Sequence, residues 1–374
     1  MARIGIVGTG YIAKGILMAL DRTDDLEVVR VFTHSEPGRR TDYPRPTLLT
    51  NSVDDLVSES DLVVVASGDP LRAVEPVEAA IGASLPVVTM DAELQVTVGS
   101  HFARKGYLSE AEGDQPGCLA ALREEALAMG FRPIVYGNLK GFLNHHPTLE
   151  DMRYWSGVQG ISLDKTVAFT DGTKVQIEQA LVANGLGAAI AKDGLLGPTA
   201  LSVAAGGAEL ARTAEALGTP LSDYLLGVPG APAGVFLTAR HEDEAQPYLQ
   251  YYKMGEGPYY TLLRNYHLCH LEVAKTVRRA LEGRPPLLNN GTAPTVQVVG
   301  VAKRDLAEGE ILRHPMGSFD VRGVAVKIAD HPDHVPIGLL DGARLVRPVA
   351  AEATITRDDI ELPESRALEL WRGI

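Results

Sequence analysis

Cysteine is scarce. Cys118 and Cys269 are the only two in 374 residues. Two isolated thiols make neither a disulfide framework nor a zinc-ligand set, and they suit a reducing cytoplasm. Long apolar runs are missing too. The uncharged run Gly194 to Ala208 is too short and too rich in Gly, Ser and Thr to span a bilayer. No signal peptide is expected at the start. Arg3 and Lys14 flank a short apolar run, but Gly8, Gly10 and Gly15 interrupt it and no small-residue cleavage site follows. Basic residues are in deficit, and the net charge is −13. That balance argues against a nucleic-acid or anionic-membrane partner, although a local basic pocket stays open. What remains is 45% apolar and 22% charged, enough for sizeable cores in two or three domains of a soluble, cytoplasmic protein.

The first third reads as α/β. Apolar runs at Arg3–Val7, Leu26–Phe32, Asp61–Ala66 and Pro86–Met90 are separated by helical patterns such as Leu71 to Ile81. Such alternation indicates βαβ units and a parallel sheet. A helix over Cys118–Met129 and a strand over Pro133–Tyr136 follow. Beyond about residue 137 the rhythm changes, with helices expected over Lys174–Ile190 and Tyr260–Leu281. A linker is expected at Gly283–Gly291. The tail, roughly 293 to 374, carries short strand runs and reads as a small all-β module. The expected domains are therefore 1–136, 137–292 and 293–374.

Gly8-x-Gly10-x-x-Ala13 lies between a strand and a helix, the context a dinucleotide-binding loop requires. Gly8 permits the turn, Gly10 admits a pyrophosphate, and the helix N-terminus faces the phosphates. Thr9, Tyr11 and Ile12 complete the loop, and Ser67, Gly68 and Glu93 lie near the ends of later strands. The end of the second strand chooses the cofactor. It reads Phe32-Thr33-His34-Ser35-Glu36-Pro37-Gly38-Arg39-Arg40, and its hydroxyls and paired arginines suit a 2′-phosphate, so NADP(H) is expected. The plainer alternatives are solvated loop arginines, with Glu36 facing the ribose of NAD.

Three later segments are dense in polar residues. They are Glu112-Gly113-Asp114-Gln115-Pro116-Gly117, Phe169-Thr170-Asp171-Gly172-Thr173-Lys174 and Tyr251 to Tyr260, the last continuing through Arg264 to Glu272. Together they resemble the bacterial homoserine-dehydrogenase-like oxidoreductases with a C-terminal SAF domain, a family with a deoxyxylulose-phosphate-reductoisomerase-like branch. Val299 to Leu312 looks like the start of the SAF module. The resemblance implies an N-terminal Rossmann domain, a central α+β substrate and dimerisation domain and an SAF β-clip. It also implies a homodimer that performs NAD(P)-dependent redox chemistry on a small polar substrate. One departure stands out. True homoserine dehydrogenases carry Asn-Lys after the fourth strand, whereas Val88 to Glu93 has no lysine, and Gly137-Asn138-Leu139-Lys140-Gly141 replaces their Asn-Gly-Thr turn.

Hydride transfer to a carbonyl leaves an alkoxide that a cation must hold or protonate. Lys174, after an Asp-Gly-Thr turn, and Lys140 are the catalytic candidates, with Asp171 and Asp114 as acidic partners. Glu178 falls on one helix face with Lys174 and is a substrate candidate. Alone, such a pair is more often a solvated salt bridge. Asp114, Asp171, Glu178 and Glu93 could also hold a divalent cation such as Mg or Mn. Lys253, Arg264, His267 and His270 form a basic cluster that suits a phosphate or carboxylate. Two histidines three apart are weak evidence for a metal. The reading is an NADP-dependent reductase or reductoisomerase of a small anionic polyol, keto sugar phosphate or amino-acid-like substrate. The alternatives are a homoserine dehydrogenase and a non-catalytic NADP-binding sensor whose SAF module binds a sugar or a partner.

Overall fold

The computed structural model describes residues 1–40 and 43–374. The chain folds as two units: residues 1–117, 268–293 and 364–374 make the first, and residues 118–267 and 294–363 the second.

Among the described residues, the first unit is built on six parallel strands: β1 (Ala2–Val7), β2 (Leu26–Phe32), β3 (Leu49–Thr50), β4 (Leu62–Val65), β5 (Val87–Thr89) and β6 (Leu108–Glu110). Their order is β3-β2-β1-β4-β5-β6. The chain reverses direction of winding between β1 and β4, where α/β sheets of this kind open a crevice for ligands. All four residues of β4 are buried, as expected of a strand covered on both faces. The helix Tyr11–Leu20 turns Ala13, Ile16, Leu17 and Leu20 onto the sheet. The helix Pro70–Gly82 is capped by Asp69, whose carboxylate accepts from the Leu71 and Arg72 amides.

The units cut the chain at 117/118, 267/268, 293/294 and 363/364, so the expected 136/137 falls inside the second unit while the expected 292/293 lies one residue from an observed cut. The helix Val273–Leu281 places Val273, Val277 and Ala280 in the core with Ile4 and Ile6. The terminal helix Arg366–Trp371 is tied to the helix Pro70–Gly82 through Arg366 and Glu78, at 2.6 Å. The sheet thus draws its cover from amphipathic segments far away in sequence, and the tail is not all-β.

The second unit holds a mixed sheet in the order β10-β9-β7-β8. Its strands are β7 (Arg132–Lys140), β8 (Leu221–Leu226), β9 (Val235–Arg240) and β10 (Tyr260–Arg264). β7 runs parallel to β8 and antiparallel to β9. The expected helix over Tyr260–Leu281 is corrected here. Tyr260 to Arg264 pair along β9, a 3-10 turn spans Cys269–Leu271, and only Val273–Leu281 is α-helical. Tyr, Thr and Leu packed against β9 decide the local outcome. A hairpin of β11 (Val296–Ala302) and β12 (Val321–Lys327) also belongs to this unit. The helix Thr173–Leu186 packs on β8 and on that hairpin. It is therefore buried nearly all round, Gln176, Glu178 and Gln179 included.

Candidate functional site

In the first unit, Gly8 adopts φ +116°, and a Cβ there would lie 2.5 Å from the Ala66 carbonyl oxygen. Only glycine fits this turn. Gly10 begins the helix Tyr11–Leu20 with no side-chain cap, and a Cβ built on it meets open space. A strand, a glycine turn and an uncapped helix N-terminus form a cradle that fits a pyrophosphate.

The two arginines after β2 diverge. Arg40 folds back on this loop, donating from Nη1 to Thr9 Oγ1 at 2.7 Å and from Nη2 to the Thr9 carbonyl at 3.3 Å. Arg39 points outward, its side chain 81% exposed, and pairs with Glu36 at 3.0 Å. Thr33 is buried and accepts from the Ser35 amide at 3.2 Å, and His34 bonds the Arg72 carbonyl. A cleft beside them is lined by Phe32, Thr33, His34 and Asn51, with Asp54 and Glu75 among its walls. If NADPH is the cofactor, Arg40→Ala should weaken it about tenfold or more, the worth of a charge-assisted contact, and Arg39→Ala much less. Titration of each variant with NADPH and NADH checks this, and equal losses in both variants would refute the asymmetry.

Ser67 and Gly68 follow β4, and both bind Asp91, which the sequence reading did not single out. Asp91 accepts from Ser67 Oγ at 2.6 Å, from the Ser67 amide at 2.9 Å and from the Gly68 amide at 3.0 Å. Burial, with the Glu93 carboxylate nearby, pushes the Asp91 carboxyl above the usual range, against the pull of those hydrogen bonds. Its signal was available: a carboxylate two residues after the apolar parallel strand β5, at the edge where such sheets bind ligands. His270 belongs to this unit. Its ring fills the space over Gly15, where a Cβ would sit 2.5 Å away, and meets Tyr11 edge-on at 6.3 Å. Burial lowers its pKa. His267 falls in the second unit, so the two histidines share no helix face. Asp114 is buried beside Gly113, whose carbonyl accepts from the Cys269 amide at 3.0 Å.

In the second unit, Lys140 ends β7 and meets Glu178 of the helix Thr173–Leu186 at 3.1 Å. Glu178 also accepts from Asn138 Nδ2 at 2.8 Å. Glu178 is 1% exposed and Lys140 15%, so the lysine is the less buried side chain of the pair. Asp171 is placed differently from its expected role. Fully buried, it accepts from the Thr173 amide at 2.8 Å and from Lys303 Nζ at 2.6 Å. It holds the turn before Lys174 with its side chain 0% exposed. Lys174 stands half-exposed on the first helical turn, after Gly172 at φ +88°. Arg264 ends β10 with its guanidinium 5.1 Å from the Tyr266 ring, and Lys253 lies exposed on a turn before that strand. Lys303 was missed because its partner lies 132 residues earlier.

Among the described residues, no three His, Cys, Asp or Glu side chains are grouped to hold a metal ion. Among them, too, no helix is long and apolar enough to cross a membrane.

A Rossmann-type sheet joined to a mixed-sheet unit with a buried lysine–carboxylate pair is an arrangement that fits redox enzymes. Residues 113–273 match the family described as oxidoreductase DRL, catalytic domain. Those residues are thus similar to an oxidoreductase catalytic domain, and the chain is an NAD(P)-dependent oxidoreductase. No curated protein matches it in sequence. Among solved structures it is similar to a probable dehydrogenase from Thermotoga maritima, at 14% identity and TM-score 0.41, covering 77% of this chain and 91% of that one. It is also similar to a myo-inositol dehydrogenase from Corynebacterium glutamicum, at 12% identity and TM-score 0.44, covering 76% and 90%. A homoserine dehydrogenase from Thiobacillus denitrificans matches at 20% identity and TM-score 0.38, covering 48% of each chain.

Proposed function

We propose that the chain is an NADP(H)-dependent reductase or reductoisomerase of a small anionic polyol, keto sugar phosphate or amino-acid-like substrate. The observation that carries this reading is the Asn138–Lys140–Glu178 group, buried inside the stretch that matches an oxidoreductase catalytic domain. When bound, NADPH supplies the hydride. The task left to the second unit is to hold the oxygen of the reacting carbonyl and to give it a proton. An ammonium suits both, and Lys140 and Lys174 are the residues assigned to it. Glu178 and Asn138 fix the Lys140 head group, while Asp171 fixes the turn that carries Lys174. Arg264, with Lys253 and His267, is assigned to the substrate's anionic group, since a guanidinium can bind phosphate or carboxylate through two parallel bonds. A homo-oligomer in the cytoplasm completes the proposal.

The experiment is a screen of small keto sugars, keto acids, aldehydes and their phosphates, with homoserine included, read by NADPH oxidation or NADP+ reduction. The expected result is turnover with anionic members and little with neutral analogues. NADPH binding without turnover of any member would favour a sensor, and equal turnover of neutral relatives would overturn the anion assignment.

A further inference from the structure

The helix that carries Lys174 and Glu178 starts at a turn held from outside the matched catalytic stretch. Asp171 uses one oxygen on the Thr173 amide and the other on Lys303 Nζ. Lys303 also donates to the Ser318 carbonyl at 2.6 Å. Its side chain is 3% exposed and that of Asp171 is 0% exposed. Along the same helix, Thr173 Oγ1 accepts from the Gly323 amide at 2.8 Å and Gln176 Oε1 from the Ala325 amide at 2.9 Å. Asn184 accepts from the Thr295 and Val296 amides and donates to the Val296 carbonyl. The helix is thus stitched by side chains to the backbone of β11, β12 and their flanks.

A buried ion pair is a poor way to gain stability, because desolvation offsets much of the attraction, and apolar residues of similar size often do as well. What such a pair does supply is geometry. Asp171 can orient the Thr173 amide only if its second oxygen is satisfied, and Lys303 is the cation that satisfies it. Lys174 is the next residue along.

We propose that Lys303 is a positioning residue that sets the Asp171–Gly172–Thr173 turn and thereby places Lys174, which makes residues 294–363 part of the substrate site. This rests on the reading of Lys174 given above. The test therefore uses no substrate. Lys303→Met, Asp171→Asn and the double variant are made in the full-length chain. Amide hydrogen exchange is measured over residues 170–176 and over β7–β9. Acetylation of Lys174 by trace acetic anhydride is measured by mass spectrometry against exposed Lys105 of the first unit.

Lys303→Met leaves a buried carboxylate without its cation. Exchange at Thr173 to Gln176 should rise on the order of 100-fold while β7–β9 stay protected, and Lys174 labelling should change severalfold. The double variant removes both charges together and should return both readouts toward the unsubstituted protein. Where Lys303→Met does not fold, Asp171→Asn carries the same comparison. An unaltered turn, a change spread evenly over the second unit, or a double variant no better than the sum of its singles would each overturn the proposal. A screen without turnover would remove the role of Lys174 and leave this coupling standing.

Discussion

Lys174→Met should lower turnover by roughly 100-fold or more, the usual worth of a positioned acid or base, while NADPH affinity stays within about twofold. The reason for the split is location. Lys174 lies on the second unit, and the dinucleotide cradle is built from the first. Methionine keeps the length and apolar stem of lysine and removes only the charge. Because Lys174 is half-exposed on a first helical turn, the variant should stay folded. Lys140→Met is the informative contrast. It leaves Glu178, 1% exposed, with its Lys140 partner gone, so turnover should fall together with stability, by on the order of 3 kcal/mol. Glu178→Gln combined with Lys140→Met should recover part of the stability and none of the turnover. Steady-state kinetics and thermal melts on the same preparations check both statements. A Lys174→Met enzyme with near-normal kcat would reduce Lys174 to an ordinary helix-start lysine and leave Lys140 as the only candidate.

How much of this was legible in the sequence depends on how local the physics is. Four strands of the parallel sheet were legible because they are short apolar runs, β4 being buried along its whole length, and because Gly8 and Gly10 stand directly between strand and helix, whereas β3 (Leu49–Thr50) and β6 (Leu108–Glu110) carry no such run. β10 was not, since Tyr260 to Arg264 fit a helical pattern as well as a strand one and only pairing with β9 decides. The same holds for charges. Glu178 was read with Lys174, four residues away, whereas the observed contact is with Lys140, 38 residues earlier. Asp171 was read as an acidic partner of Lys174 or Lys140 or as a cation ligand, whereas the lysine it meets is the distant, buried Lys303. An i,i+4 spacing says which residues share a helix face, not what faces them across the fold. Arg39 and Arg40 were equivalent as sequence, and only the backbone after β2 separates a loop-bound arginine from an exposed one.

Gly8→Ala should abolish measurable NADPH binding, a loss of at least about 100-fold, and should lower the melting temperature of the first unit. Two independent costs act on one methyl group. The backbone at Gly8 sits at φ +116°, where an L-residue is strained by about 1–3 kcal/mol. The methyl would also lie 2.5 Å from the Ala66 carbonyl oxygen, a backbone atom that cannot swing aside as a side chain could. Ala66 is itself tied to β1, its amide donating to the Val7 carbonyl at 2.9 Å, so relief at one point breaks the β1–β4 join at the next. Gly10→Ala separates fold from ligand. Its φ is an ordinary −74° and a methyl there meets open space, so the empty protein should melt normally. If that space is where the pyrophosphate approaches, NADPH affinity should still drop by about tenfold or more, since the methyl stands between the phosphate and the helix N-terminus. Calorimetric titration of both variants, beside melts without cofactor, gives the answer. Undiminished NADPH affinity in Gly10→Ala would move the pyrophosphate away from this helix and end the dinucleotide reading of the loop.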